Sequence, residues 1–145
     1  MRSIQSSVSS FLRKCSLKEW CFRHDFGFIP STKAEDGDPL DVLILMDQPA
    51  FSGCVVQARR IGIIEGEQKE DGKAERNDRL LAVAESSHTH SDVRSVKDLN
   101  DSLLKEVEEF FVNYHANDGT KFKVLGCKGP DAALQHKKKT QRKAA

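Results

Sequence analysis

From Val96 to Tyr114 the apolar residues Val96, Leu99, Leu103, Leu104, Val107, Phe110, Phe111 and Tyr114 recur at steps of three and four, while Lys105, Glu106, Glu108 and Glu109 take the other positions. That spacing predicts an amphipathic helix with one apolar face to bury. Asn100 or Asp98 is placed to cap its start. One such helix needs a surface to lie on, and the residues around it offer strands. Val42 to Met46 is apolar on both faces, Cys54 to Ile64 is rich in β-branched residues, Leu80 to Ala84 is short and apolar, and Lys121 to Leu125 alternates. Several short strands with one late helix predict a mainly β chain of the α+β kind, an OB-fold-like small β-barrel with the long amphipathic helix packed outside.

A chain of 145 residues is the size of one ordinary domain and can bury a core without disulfide or metal staples. Residues 1–10 are Ser-rich and ragged and are expected to be disordered; they share the basic, acid-free character of transit peptides, but a loose terminus is the commoner source of that composition. Residues 11–130 are expected to form the single domain. Within it, Phe11 to Ile29 reads as irregular and aromatic, with FGF before Pro30 forming a turn. EGEQKEDGKAERNDR reads as a charged hairpin loop at the surface. Residues 131–145, which end in HKKKTQRKAA, are expected to be a solvated basic tail. The 23 Lys and Arg nearly cancel the 22 Asp and Glu, leaving +1, so neither a nucleic-acid nor a membrane partner is expected. No apolar run approaches the length of a membrane span. Cys15, Cys21, Cys54 and Cys127 lie far apart with no CxxC spacing, which suits a reducing, cytoplasmic setting.

The chemistry-bearing stretch is EDGDPLDVLILM, Glu35 to Met46, which crowds four carboxylates ahead of a buried strand. Like charges this close raise one another's pKa unless cations or protons relieve them. In a continuous strand Asp36 and Asp41 would point to opposite faces, but Gly37 and Pro39 can turn the chain so that Asp36, Asp38 and Asp41 converge. An oxygen-only ligand set suits Mg²⁺ or Mn²⁺ better than zinc. The same spacing equally suits an acidic turn capping a strand, and the EF-hand pattern is absent, with no Glu at the twelfth loop position.

DGDPLDV resembles the signature of the soluble, Mg²⁺-dependent inorganic pyrophosphatases (family I), D-x-D-P-x-D followed by an apolar residue. DFGFIP upstream is similar to the family's aromatic-Gly-aromatic segment, NDRLLAV to its D-x-K-apolar-apolar-A-V segment, and FFVNYH with KFKVLG to its C-terminal helix end and the strand after it. The resemblance covers roughly Phe11 to Gly126. It implies Mg²⁺-dependent hydrolysis of pyrophosphate to two phosphates, with Mn²⁺ as a second cation and a homo-oligomer as the assembly. It also implies roles. Asp36 and Asp41 would bind the metal, with Asp71 and Asp78 as further candidates from the charged hairpin, and Asp38 would take the proton of the attacking water. Lys14, Arg79, Tyr114 and Lys121 would hold phosphate.

The chain departs from the family pattern in several places. Asn77 stands where a metal-binding Asp is usual, Arg79 where a Lys is usual, His115 after Tyr114 where a Lys is usual, and Lys14 where an Arg is usual; Phe26 replaces a Tyr. The family's early Glu, Lys and Glu would fall at or before Met1, with Arg2 at one of those positions. A catalytically impaired relative that binds phosphate or a partner is therefore the competing expectation. Elsewhere, His88 and His90 in SHTHSD lack a third ligand and read as a polar loop rather than a metal pair. Trp20 and Phe22 beside Arg23 read as core aromatics rather than a base-stacking platform, and Cys127 as a bystander thiol.

Overall fold

The computed structural model describes residues 24–33, 37–48, 53, 55–117 and 119–144, and the side chains of these residues except 24–26, 114, 117 and 142–144. Strands β1 (His24–Ile29), β2 (Leu40–Leu45), β3 (Ala58–Glu70), β4 (Lys73–Arg76) and β5 (Arg79–Ala84) precede a short 3₁₀ turn at Val96–Asp98 and helix α1 (Asp101–Asn117). Strand β6 (Lys121–Lys128) and helix α2 (Pro130–Ala144) follow. The strands make one six-stranded sheet in the order β1-β2-β5-β3-β4, with β6 pairing β3. The sheet is mixed, since β2 and β5 run parallel and the other pairs antiparallel. This is the expected fold class, a β-rich α+β domain with α1 packed on the outside of the sheet.

Side chains alternate along a strand, and here both faces are apolar, which explains the near-continuous hydrophobic runs in β2 and β5. One face collects Leu40, Val42, Ile44, Ala58, Ile63, Leu80, Ala82 and Ala84, and Ala133 of α2 packs on it. The other collects Leu43, Leu45, Ile61, Ile64, Leu81 and Val83 beneath Val96, Leu99, Val107 and Phe111. A sheet buried on both sides needs a helix on each.

Four local expectations change. The FGF segment expected as a turn lies inside β1, where Phe26, Gly27 and Phe28 pair with Leu43, Val42 and Asp41, and the turn falls at Pro30 and Ser31. The helix predicted from Val96 is broken after its first turn. Asp98 accepts from Ser95 N at 3.1 Å and from Arg94 N at 3.0 Å, within a capping box around the 3₁₀ turn. Asn100 Oδ1 then accepts from Ser102 N at 2.8 Å and starts α1. Of the two candidate caps Asn100 is the one that starts α1, while Asp98 is the reciprocal partner of the N-cap Ser95 in the preceding 3₁₀ turn. The charged segment expected as a loop is a paired hairpin, with β3 running to Glu70, β4 beginning at Lys73 and Glu70 opposite Lys73. Its two-residue tip, Asp71 and Gly72, has φ of 51° and 79°, the positive pair a type I′ turn requires. The expected basic tail is helical instead. Ala133, Lys137 and Thr140 fall at helical spacing and are buried against the sheet, with Thr140 O accepting from Lys33 N at 3.1 Å.

Candidate functional site

Strands β2 and β5 are parallel neighbours with Val42 level with Leu80, so the residues just before these, Asp41 and Arg79, lie side by side and share the α1 face with Leu43 and Leu81. Their side chains form an ion pair. Arg79 is 3 % exposed, a depth at which a guanidinium is stable only with partners. Its Nη2 lies 3.0 Å from His115 Nε2, and its Cζ sits 5.8 Å from the centroid of the Phe111 ring. Phe111 and His115 reach it together because they are four residues apart on one face of α1.

His115 is buried and stacks on Phe122, with centroids 4.8 Å apart and planes at 9°. Its Nδ1 lies 3.3 Å from Thr120 Oγ1, which donates to His115 O at 3.0 Å. An arginine N–H only donates. His115 Nε2 is therefore the acceptor, and the ring proton sits on Nδ1, directed at Thr120. The imidazole thus fixes the guanidinium, which fixes the Asp41 carboxylate. Asn77, also buried, donates from Nδ2 to Gln68 Oε1 at 2.6 Å, while its backbone N–H bonds Gly66 O at 2.9 Å.

The remaining candidates are distributed unevenly. Asp38 is exposed in the bend after Gly37, whose φ of 87° supplies the turn inferred from sequence. Asp36 and Lys14 lie outside the described residues, as do Trp20, Phe22 and Arg23; Tyr114 sits on α1 with its side chain outside them. Lys121 opens β6 opposite Lys69 and lines a groove of about 360 Å³ with Glu67, Lys69, Val112 and Lys123; the groove adjoins the histidine cluster at Thr120 and Phe122. Asp71 stands at the exposed hairpin tip. Asp78 faces away from Arg79, as alternation dictates, and accepts from Gly66 N at 3.1 Å and from Arg76 at 3.2 Å. It lines a cleft of about 610 Å³ on the α2 side with Glu65, Arg76, Lys128, Gln135, His136 and Lys139. Asp41, Arg79 and His115 are thus brought together, and Asp78 is across the sheet from them.

Thr120, which supports His115, and Gln68, which holds Asn77, had no sequence motif of their own, and Phe111 within FFVNYH reads only as part of the apolar stripe. The four-residue step from Phe111 to His115 was the available signal. The SHTHSD segment is organised around Asp47, which accepts from Ser87 Oγ and His88 N, each at 2.7 Å. Burial and the Glu108 and Glu65 carboxylates push the Cys127 thiol up to about 11, consistent with an unreactive cysteine. Among the described residues, no three His, Cys, Asp or Glu side chains are grouped to hold a metal. Asp38 and Asp41 nevertheless offer the oxygen donors a hard divalent cation takes, with Asp36 the third of the motif.

The fold and site define an α+β domain with a mixed sheet, an outer helix, an acidic turn leading into a central strand and a carboxylate–guanidinium–imidazole cluster beneath that helix. The Inorganic pyrophosphatase family profile matches residues 7–145, and the chain belongs to that family. It is 42 % identical over 113 residues to the inorganic pyrophosphatase of Synechocystis sp., covering 78 % of this chain and 64 % of that protein. It is 36 % identical over 103 residues to soluble inorganic pyrophosphatase 3 of Arabidopsis thaliana, covering 71 % and 46 %. The chain thus spans less than two thirds of the length of these relatives. Among solved structures, the inorganic pyrophosphatase of Thermus thermophilus superposes with a TM-score of 0.76 at 30 % identity over 85 % of this chain and 70 % of that one. The Helicobacter pylori enzyme gives 0.79 at 26 %, covering 97 % and 87 %. These likenesses bear out the expected fold.

Proposed function

We propose that this chain hydrolyses inorganic pyrophosphate to two phosphates with the help of a divalent cation, Mg²⁺ or Mn²⁺. The observation that carries the reading is the acidic turn of a pyrophosphatase-family chain leading directly into Asp41, which is paired with a buried Arg79 that His115 holds in place. Asp36 and Asp41 hold the cation, and Asp38, exposed at the turn, accepts the proton of the attacking water. When bound, the cation neutralises phosphate charge and makes its water more acidic. Arg79, Tyr114, Lys121 and Lys14 hold the phosphates; Arg79 is pre-aimed, because His115 and Phe111 leave its guanidinium little freedom. Asp71, at the hairpin tip, and Asp78, in an ion-pair network on the α2 side, are given no role in this site.

A cytoplasmic location is supported by the scattered cysteines. No helix among the described residues is long and apolar enough to cross a membrane. Exposed Leu125 on β6, 45 % accessible, supports a homo-oligomer, and the near-zero net charge speaks against a nucleic-acid partner. The test is phosphate released from pyrophosphate by the 145-residue chain with millimolar Mg²⁺ and with excess chelator. Release that requires Mg²⁺ supports hydrolysis. Binding of pyrophosphate without release favours the competing reading, a family member that binds phosphate without turnover, for which the engagement of Asn77 by Gln68 and of Asp41 by Arg79 is the specific observation.

A further inference from the structure

Arg60 lies on β3 opposite Ala82 of β5 and shares its face, the side of the sheet that α2 covers. Its Nε and Nη1 are fully buried and have no hydrogen-bond partner. Lys137, on the buried stripe of α2, is 9 % exposed and lies close enough to Arg60 for the two charges to repel. Among the described residues, no carboxylate pairs with either. The core of this face is apolar, with Ala82 opposite Arg60 and Ala58 and Ala133 in the same cluster, and such side chains offer no counter-charge. A guanidinium cannot shed its proton to escape burial. Two like charges held in a low-dielectric interface without a counter-charge are costly.

We propose that the α2–β3 interface is an anion site in which Arg60 and Lys137 together bind a phosphate oxyanion. Arginine and lysine donors are the usual partners of such groups, and a tetrahedral oxyanion satisfies several N–H groups at once where a halide offers one centre. The site is separate from the Asp41–Arg79–His115 cluster, which lies on the other face of the sheet. The same chemistry is available from a free ion and from a phosphoryl group on a larger molecule. Enclosure beneath α2 favours the free ion. Burial, with the charge of Arg60 beside it, lowers the pKa of Lys137, a tendency a bound anion opposes.

The test is thermal unfolding of the full chain with chelator present, titrating inorganic phosphate or adenosine monophosphate at constant ionic strength. It is run on wild type, Arg60→Met, Lys137→Met and Lys121→Ala. Inorganic phosphate is expected to raise the wild-type and Lys121→Ala midpoints, while both methionine variants bind it at least about 10-fold more weakly. Without phosphate, the methionine variants should unfold at or above the wild-type temperature, because an unpaired buried cation has been removed; if one fails to fold, the other carries the comparison. The proposal is overturned if wild type shows no midpoint shift with phosphate, if the methionine variants respond as wild type does, or if only adenosine monophosphate stabilises the protein.

Discussion

Asp47 follows β2 and holds down the loop after β5. Its carboxylate accepts from Ser87 Oγ, His88 N and Thr89 N, and these bonds hold its pKa down from the ordinary 3.8 to about 2. A depressed folded-state pKa contributes stability above the unfolded value and loses it as pH falls through the folded one. Wild type is therefore expected to outlast Asp47→Asn in urea above about pH 4, with the gap closing as pH falls toward about 2. A gap unchanged down to pH 2 would show that the carboxylate's charge plays no part. Gly66 is a second single-residue constraint. A Cβ there would stand 2.1 Å from the Phe122 ring, and that ring supports His115. Gly66→Ala is expected to cost about 1–3 kcal/mol, the range of overpacking, and to lower turnover by displacing Phe122. Urea midpoints and turnover of the variant measure both, and wild-type values would show that the ring yields freely.

The elements divide into those that their own residues announce and those that context decides. Strands β2 and β5 and most of β3 were legible because they are buried on both faces. Helix α1 was legible because its large apolar residues keep helical spacing. Strand β4 was not, since all four of its residues are exposed and it forms only because β3 extends far enough to pair with it. Helix α2 was not, because a lysine, a threonine and an alanine carry its buried stripe in place of large hydrophobes. The acidic turn was legible as a motif, whereas the pairing of Asp41 with Arg79 depended on the parallel register of β2 and β5, which local pattern does not encode. Phe111 is fully buried and touches both Arg79 and Phe122. Phe111→Ala is expected to cost about 3–5 kcal/mol in chemical denaturation; below about 0.5 kcal/mol, the scale of a surface site, α1 would not be docked as described.

At the scale of the whole molecule, the sheet separates two charged regions. On the α1 face a buried imidazole, guanidinium and carboxylate stand beside the acidic turn, and on the α2 face Glu65, Asp78, Arg76 and Lys128 form an ion-pair network around a cleft. Because α2 packs on β3 and joins the core of that face through Ala133, a chain ending at Gly129 is expected to lose cooperative unfolding in calorimetry. A sharp transition at the full-length temperature would show that α2 is dispensable. The central claim concerns the other face and rests on Asp38, exposed at the turn where water has access. Proton acceptance by a positioned carboxylate is worth about 10²–10⁴-fold in rate. The deciding measurement is phosphate release from pyrophosphate and Mg²⁺ by wild type and Asp38→Asn side by side. A loss of about 10²-fold or more with Mg²⁺ binding retained is the expected result, and equal turnover in the two proteins would contradict the proposed site.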